Sequence, residues 1–238
     1  VTAAVGVLVW FTLRGLDDEQ ADAQSLTMTE FFGQIKSVIQ LKAVWLQATV
    51  LVCAYTSYKA FDQYALFAVR GHGIDEIDAA QIVAAGAWTR PIAALALGLL
   101  GDRFGISRMA TVCFVLLIIS HSLFAFTGNA LGTLSMIMLN TLVTGIAIFG
   151  LRGLYFGLLE EGRIPLAITG TAVGLVSVIG YTPDVYIAAV AGYLIDQSPG
   201  LAGFQHLFAL LLGFSIIGAV AALLFDRHSR TDDPTTGS

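Results

Sequence analysis

The sequence predicts an all-α membrane protein, on three observations. The 238 residues are 56% hydrophobic and only 12% charged, against roughly a quarter charged in an ordinary globular domain. The mean hydropathy is +0.79, which leaves too few polar residues to coat a soluble core of this size. The apolar residues gather into runs near the ~20 residues that a helix needs to cross a ~30 Å hydrocarbon core. Stretches such as Phe114-Val115-Leu116-Leu117-Ile118-Ile119 are apolar on every side, whereas strands of a membrane barrel alternate in polarity over about ten residues. A soluble enzyme is not expected. With 12 Lys+Arg against 17 Asp+Glu and a net charge of -5, the basic stripe of a nucleic-acid binder is also missing.

Val1 to Leu13 is apolar but too short to span. No basic region precedes it and no small-residue cleavage site follows, so it reads as the end of a membrane helix and not as a signal peptide. Residues 14–42 form a loop that starts acidic, with Asp17, Asp18, Glu19 and Asp22. The loop then turns amphipathic from Thr27, with Met28, Phe31, Phe32, Ile35, Val38 and Ile39 at helical spacing. Thr27 and Glu30 have capping-box spacing. An interfacial helix lying on the membrane surface is expected there, with a partner-binding helix as the alternative.

Residues 43–226 then hold six spans: Ala43 to Val69, Ala79 to Leu100, Met109 to Thr127, Ala130 to Leu151 or beyond, Ile164 to Ile195, and Phe204 to Phe225. Residues 227–238 form a short polar tail. Arg14, Lys36, Lys42, Arg103, Arg108, Arg163, Arg227 and Arg230 fall on one side of this layout and only Arg70 on the other. The positive-inside bias makes the first side cytoplasmic, C-terminus included. Cys53 and Cys113 sit inside apolar runs, and the four histidines are scattered, so neither a metal nor a cofactor is predicted.

A charge within the bilayer costs roughly 2.5 to 3.5 kcal/mol on insertion scales, so each one marks a protein-facing or water-facing site. The third and sixth spans hold none, as suits helices facing lipid. In the first span, Tyr55, Lys59, Asp62 and Leu66 share one helix face. Lys59 reads as the anchor of an anionic solute with Asp62 setting its charge, or else the two form a self-neutralised packing pair. Arg90 lies mid-span beside Pro91, which can kink a helix. It needs a partner: the solute, Asp62 or Asp184. The fourth span carries Asn140, Thr141 and Thr144, and then Arg152, which reads as snorkelling to the cytoplasmic face. In the fifth, Gly170 and Gly174 offer a small-residue face for another helix. Tyr181-Thr182-Pro183-Asp184 interrupts that helix, and Asp184 is a candidate proton site, cation site or partner of Arg90.

Gly98, Asp102, Arg103 and Gly105, between the second and third spans, resemble the G-x-x-x-D-R-x-G-R-K signature of the major facilitator superfamily. The sequence departs from it at Ile106 and Ser107, with Arg108 one place late. Glu161-Gly162-Arg163, followed by Ala167 and Gly170, is similar to the signature between the tenth and eleventh helices of that superfamily. The resemblance implies the six-helix C-terminal bundle of a twelve-helix fold, preceded by the end of the sixth helix. Within it, the first and fourth spans line the cavity, and the named motif residues gate it. The run from Leu151 to Asp184 looks most like the nitrate/nitrite or organic-anion permease branch.

The expected function is secondary active transport of a small anionic solute across the cytoplasmic membrane, with a proton or counter-substrate. The partner is the N-terminal six-helix half. Lys59, Arg90, Tyr55, Asn140 and Tyr181 are the candidate solute residues, and Asp62 and Asp184 the candidate coupling residues. Alternatives are a neutral sugar-like or cationic solute, or a non-transporting sensor or structural subunit. No Gly-x-Ser-x-Gly or His-Glu-x-x-His motif suggests an intramembrane enzyme.

Overall fold

A computed structural model describes residues 28–128 and 133–231. The helix end predicted over 1–13, the acidic start of the 14–42 loop, the Thr27 cap and the tail beyond Thr231 lie outside the described residues.

Every regular element described is helical. In order these are α1 (Met28–Ile39), α2 (Lys42–Ala60), α3 (Glu76–Phe104), α4 (Ile106–Phe126), α5 (Leu134–Leu154), the single turn α6 (Leu158–Glu161), α7 (Leu166–Gly180), α8 (Pro183–Gln197) and α9 (Leu201–Thr231). After Ala60 the α2 rod continues through a 3-10 turn, Phe61–Gln63, one α turn, Tyr64–Leu66, and a π turn, Phe67–Gly71. Five segments are long and apolar enough to cross a membrane: α3, α4, α5, α7 with α8, and α9. A sixth is reached when α1 and Lys42–Gly71 are taken together, although they meet at a 77° bend. The chain is therefore an all-α, multi-pass membrane protein.

Local chemistry sets the joints. The α3–α4 corner closes at Gly105, whose φ of 98° is open to glycine. Pro183 opens α8, so the fifth span is two helices joined at the break that Tyr181-Thr182-Pro183 predicts. Pro91, by contrast, lies inside an unbroken α3. His72, just past the π turn, packs edge-on to Phe67 at 4.8 Å, and burial lowers its pKa from the usual histidine value.

α9 lies against α4 and α2, α3 runs along α5, α4 touches α5, and α7 and α8 flank α2. An aromatic core fills the α2–α4–α9 junction: Phe67 stands 4.8 Å from Phe124 and 4.9 Å from Phe208, and Tyr64 stands 5.4 Å from Phe208. The α3 and α5 backbones come close at two glycines of α5. A Cβ on Gly153 would meet the Ala94 carbonyl oxygen at 2.8 Å, and one on Gly145 would meet that of Gly86 at 3.1 Å, which is the close approach small residues permit in lipid.

α4 and α9, uncharged between Met109 and Phe126 and between Leu201 and Phe225, leave apolar faces exposed, with Val112, Val115 and Ile119 on one and Ile216, Val220 and Leu223 on the other. The close helix contact expected at Gly170 and Gly174 is not made among the described residues, since a Cβ on either would have no atom within 4 Å. Beside them lies an apolar groove of about 550 Å³, lined also by Phe31 and Ile35 of α1. α1 reaches α7 through the Thr171 hydroxyl, which donates to Gln34 Oε1 at 2.8 Å.

Candidate functional site

The C-terminal part of α2 and the α7–α8 break face each other. Tyr55 Oη donates to Asp184 Oδ2 at 2.7 Å, and Lys59 Nζ meets Asp184 Oδ1 at 3.2 Å. Asp62, one turn on, is a weaker partner for Lys59 at 3.8 Å, and its side chain is 72% exposed. Lys59 is thus held chiefly by Asp184, across two helices, and not by the neighbour that spacing suggests. The Tyr181 ring packs edge-on to Tyr55 at 4.7 Å. Four predicted site residues, Tyr55, Lys59, Tyr181 and Asp184, therefore meet in one place, with Asp62 at its edge.

The arginines join this place through aromatic rings. The Arg90 guanidinium lies 4.7 Å from the Phe149 ring centre and that of Arg152 4.2 Å from Tyr58. Tyr58 stands 6.3 Å from Phe149 and 5.4 Å from Tyr55. Among the described residues neither arginine has an ion-pair partner, and both are exposed. Arg90 stacks on Phe149, and neither Asp62 nor Asp184 pairs with it. Arg152 folds over the ring of Tyr58, the neighbour of Lys59 in sequence. Its role was legible only in the i, i+3 spacing of Phe149 and Arg152, which puts a ring and a cation on one face of α5. Cation–π contact keeps a guanidinium in place while leaving its N–H donors free.

Asn140 lies elsewhere. It is 7% exposed and its Nδ2 donates to the Ser120 carbonyl at 3.2 Å, while the Ser120 and Thr144 hydroxyls bond to each other. Thr141 is buried as well. Asn140 and Thr144 thus face α4, tying the bundle internally, while the Thr141 methyl lies toward Gly86 of α3. Sequence periodicity could not tell that face from the one bearing Phe149 and Arg152.

The signature residues cluster at one end of the bundle, with Asp102 and Arg103 exposed and Arg103 over the Phe104 ring. Gly105 offers no side-chain cap to α4. Glu161 supplies one from a distance: Oε2 accepts from the Ser107 backbone N–H at 2.8 Å and Oε1 from its hydroxyl at 2.5 Å. Ser107, where the sequence departs from the signature, is thus the residue that Glu161 engages. Asp226 of α9 accepts from Arg108 Nε at 3.4 Å and Arg230 Nη2 at 2.5 Å, and stands 3.2 Å from the Ser107 hydroxyl. The sequence reading missed Asp226 because it follows the last span like any solvated charge. Arg163 adopts a left-handed φ of 51° in the turn after Glu161.

No family model matches the chain. It is similar to inner membrane protein YqcE of Escherichia coli (strain K12), 24% identical over 237 residues, covering 93% of this chain and 52% of that protein. It is similar too to inner membrane protein YihN of the same organism, 24% identical over 242 residues, covering 96% of this chain and 55% of that protein. The chain spans about half the length of the curated relatives it matches.

Proposed function

We propose that the chain is the six-helix C-terminal half of a major-facilitator-type secondary transporter. It moves a small anionic solute across the inner membrane by alternating access against an N-terminal half, and is not an enzyme. One observation carries this reading: the guanidiniums of Arg90 and Arg152, from two helices, lie over the Phe149 and Tyr58 rings of one aromatic pair with no carboxylate partner among the described residues, while Lys59, next to Tyr58 in α2, reaches Asp184. Unpaired charge at depth is costly unless a ligand or water meets it. A cationic solute fits less well, because Asp184 is engaged by Tyr55 and Lys59. Asp62 and Asp184 are the coupling residues for a proton or counter-substrate. The Gly98–Arg108 turn, Glu161 and Arg163 form the cytoplasmic gate, on the side of the C-terminus.

The Lys59–Asp184 bridge favours one rival, a structural tie in a non-transporting subunit. Exchanging the two residues, Lys59→Asp with Asp184→Lys, separates the readings: a pure tie survives the swap, and a solute site does not. A thermal-shift screen of the full-length protein against anions, sugars and amines identifies the solute class. Stabilisation by sugars or amines alone would overturn the anion reading.

A further inference from the structure

We propose that the solute docks through a carboxylate group in the position that Asp184 now occupies, so that Asp184 is a built-in competitor displaced by each solute molecule. This rests on the transport reading above. The donors belong to α2 and the acceptor to α8. Each carboxylate oxygen of Asp184 receives one donor, Tyr55 Oη at 2.7 Å and Lys59 Nζ at 3.2 Å. One hydroxyl and one ammonium, aimed at the two oxygens of a single carboxylate, make a complete receptor for that group. A tetrahedral dianion would leave oxygens without donors in it.

The occupant can leave. Asp184 stands in the first turn of α8, beyond the break after Gly180, and Pro183 contributes no backbone N–H to that joint. What bridges the break is local: Asp184 N donates to Tyr181 O at 3.1 Å and Val185 N to Thr182 O at 3.0 Å. The Asp184 side chain can therefore leave its donors at this joint without unravelling α7, while Ile187 and Ala191 keep the rest of α8 packed in the core. The place is also reachable, with side-chain exposure of 47% at Asp184 and 29% at Lys59. On release Lys59 keeps a carboxylate within 3.8 Å, Asp62, so its charge is not stranded. Arg152, over the Tyr58 ring that touches Tyr55, lies where an arriving anion is first attracted. Displacement of Asp184 then becomes the step by which solute binding releases the tie between α2 and the α7–α8 joint.

The test uses the full-length protein and formate as the probe. Asp184→Ala vacates the position, and thermal unfolding is followed against sodium formate, with sodium chloride and sodium phosphate at matched ionic strength. The proposal expects a saturable rise in Tm with formate in Asp184→Ala. Wild type should need roughly tenfold more formate, because Asp184 must first be displaced. The response should vanish in Asp184→Ala/Lys59→Met. No formate response in folded Asp184→Ala overturns the proposal, as does an equal response to phosphate or one that survives loss of Lys59. If Asp184→Ala does not fold, Asp184→Ser, whose shorter side chain also vacates the carboxylate position, takes its place in the same formate series. The outcomes separate from those of the transport reading. A formate response in Asp184→Ala with uptake intact in Lys59→Ala sinks transport through this site alone. Uptake lost in Lys59→Ala without any formate response sinks the displacement alone.

Discussion

Replacing Glu161 by alanine removes the cap of a helix that begins 55 residues earlier. In α4 the capping position is Gly105, which has no side chain to offer, so Glu161 meets the Ser107 N–H and hydroxyl, at 2.8 and 2.5 Å. Hydrogen bonds to a charged partner contribute about 1.5–3 kcal/mol each when their donors are otherwise stranded, and a carboxylate at a helix N-terminus adds roughly 0.3–1 kcal/mol. Asp226 recovers part of this, because it stands 3.2 Å from the same hydroxyl. Water reaches the half-buried Glu161 site, which lowers the net effect further. The expected cost of Glu161→Ala is about 2 kcal/mol, read as a lower midpoint in thermal or denaturant unfolding of the detergent-solubilised protein. Glu161→Gln, which retains an acceptor, should cost about half as much. In a double-mutant cycle with Ser107→Ala the coupling should be about 1 kcal/mol. Unchanged stability in Glu161→Ala, or strict additivity in the cycle, would show that the cap is not what holds this corner.

Other outcomes follow from the same geometry. Gly153→Ala places a Cβ 2.8 Å from the Ala94 carbonyl oxygen, and such overpacking should cost about 1–3 kcal/mol of stability in an unfolding titration. Gly98→Ala, where an added Cβ has no atom within 4 Å, should leave stability unchanged or raise it by up to ~1 kcal/mol. Asn140→Ala should cost about 1 kcal/mol through its lost bond to Ser120, with solute affinity unaffected in a binding assay. Arg152→Ala should weaken solute binding about tenfold or more, corresponding to roughly 1.4 kcal/mol, and Arg152→Lys should recover only part of it because an ammonium lacks the planar fork.

The membrane class and the five long apolar helices from α3 onward were legible because apolar run length is a one-dimensional property. The break at Tyr181-Thr182-Pro183 was legible for a similar reason, since proline removes a donor wherever it stands. Pairing was not. Lys59 has a carboxylate three residues away and another 125 residues away, and helix spacing favours the first. The α7–α8 break brings the second within 3.2 Å, leaving the first at 3.8 Å. The same limit explains Arg152, whose depth depends on which ring it covers, and Asn140, whose face depends on where α4 packs. It explains Gly170 and Gly174 too: a small-residue stripe shows that a helix could approach, and among the described residues an open groove lies there.

The central claim is that the Lys59–Arg90–Arg152 face binds an anion that the protein carries across the membrane. Uptake into proteoliposomes of the anion that most stabilises the full-length protein, compared between wild type and Lys59→Ala at equal reconstituted amounts, tests it most directly. The account predicts that uptake falls to the level of empty liposomes while the variant stays folded in the membrane. Uptake at the wild-type rate in Lys59→Ala would contradict it.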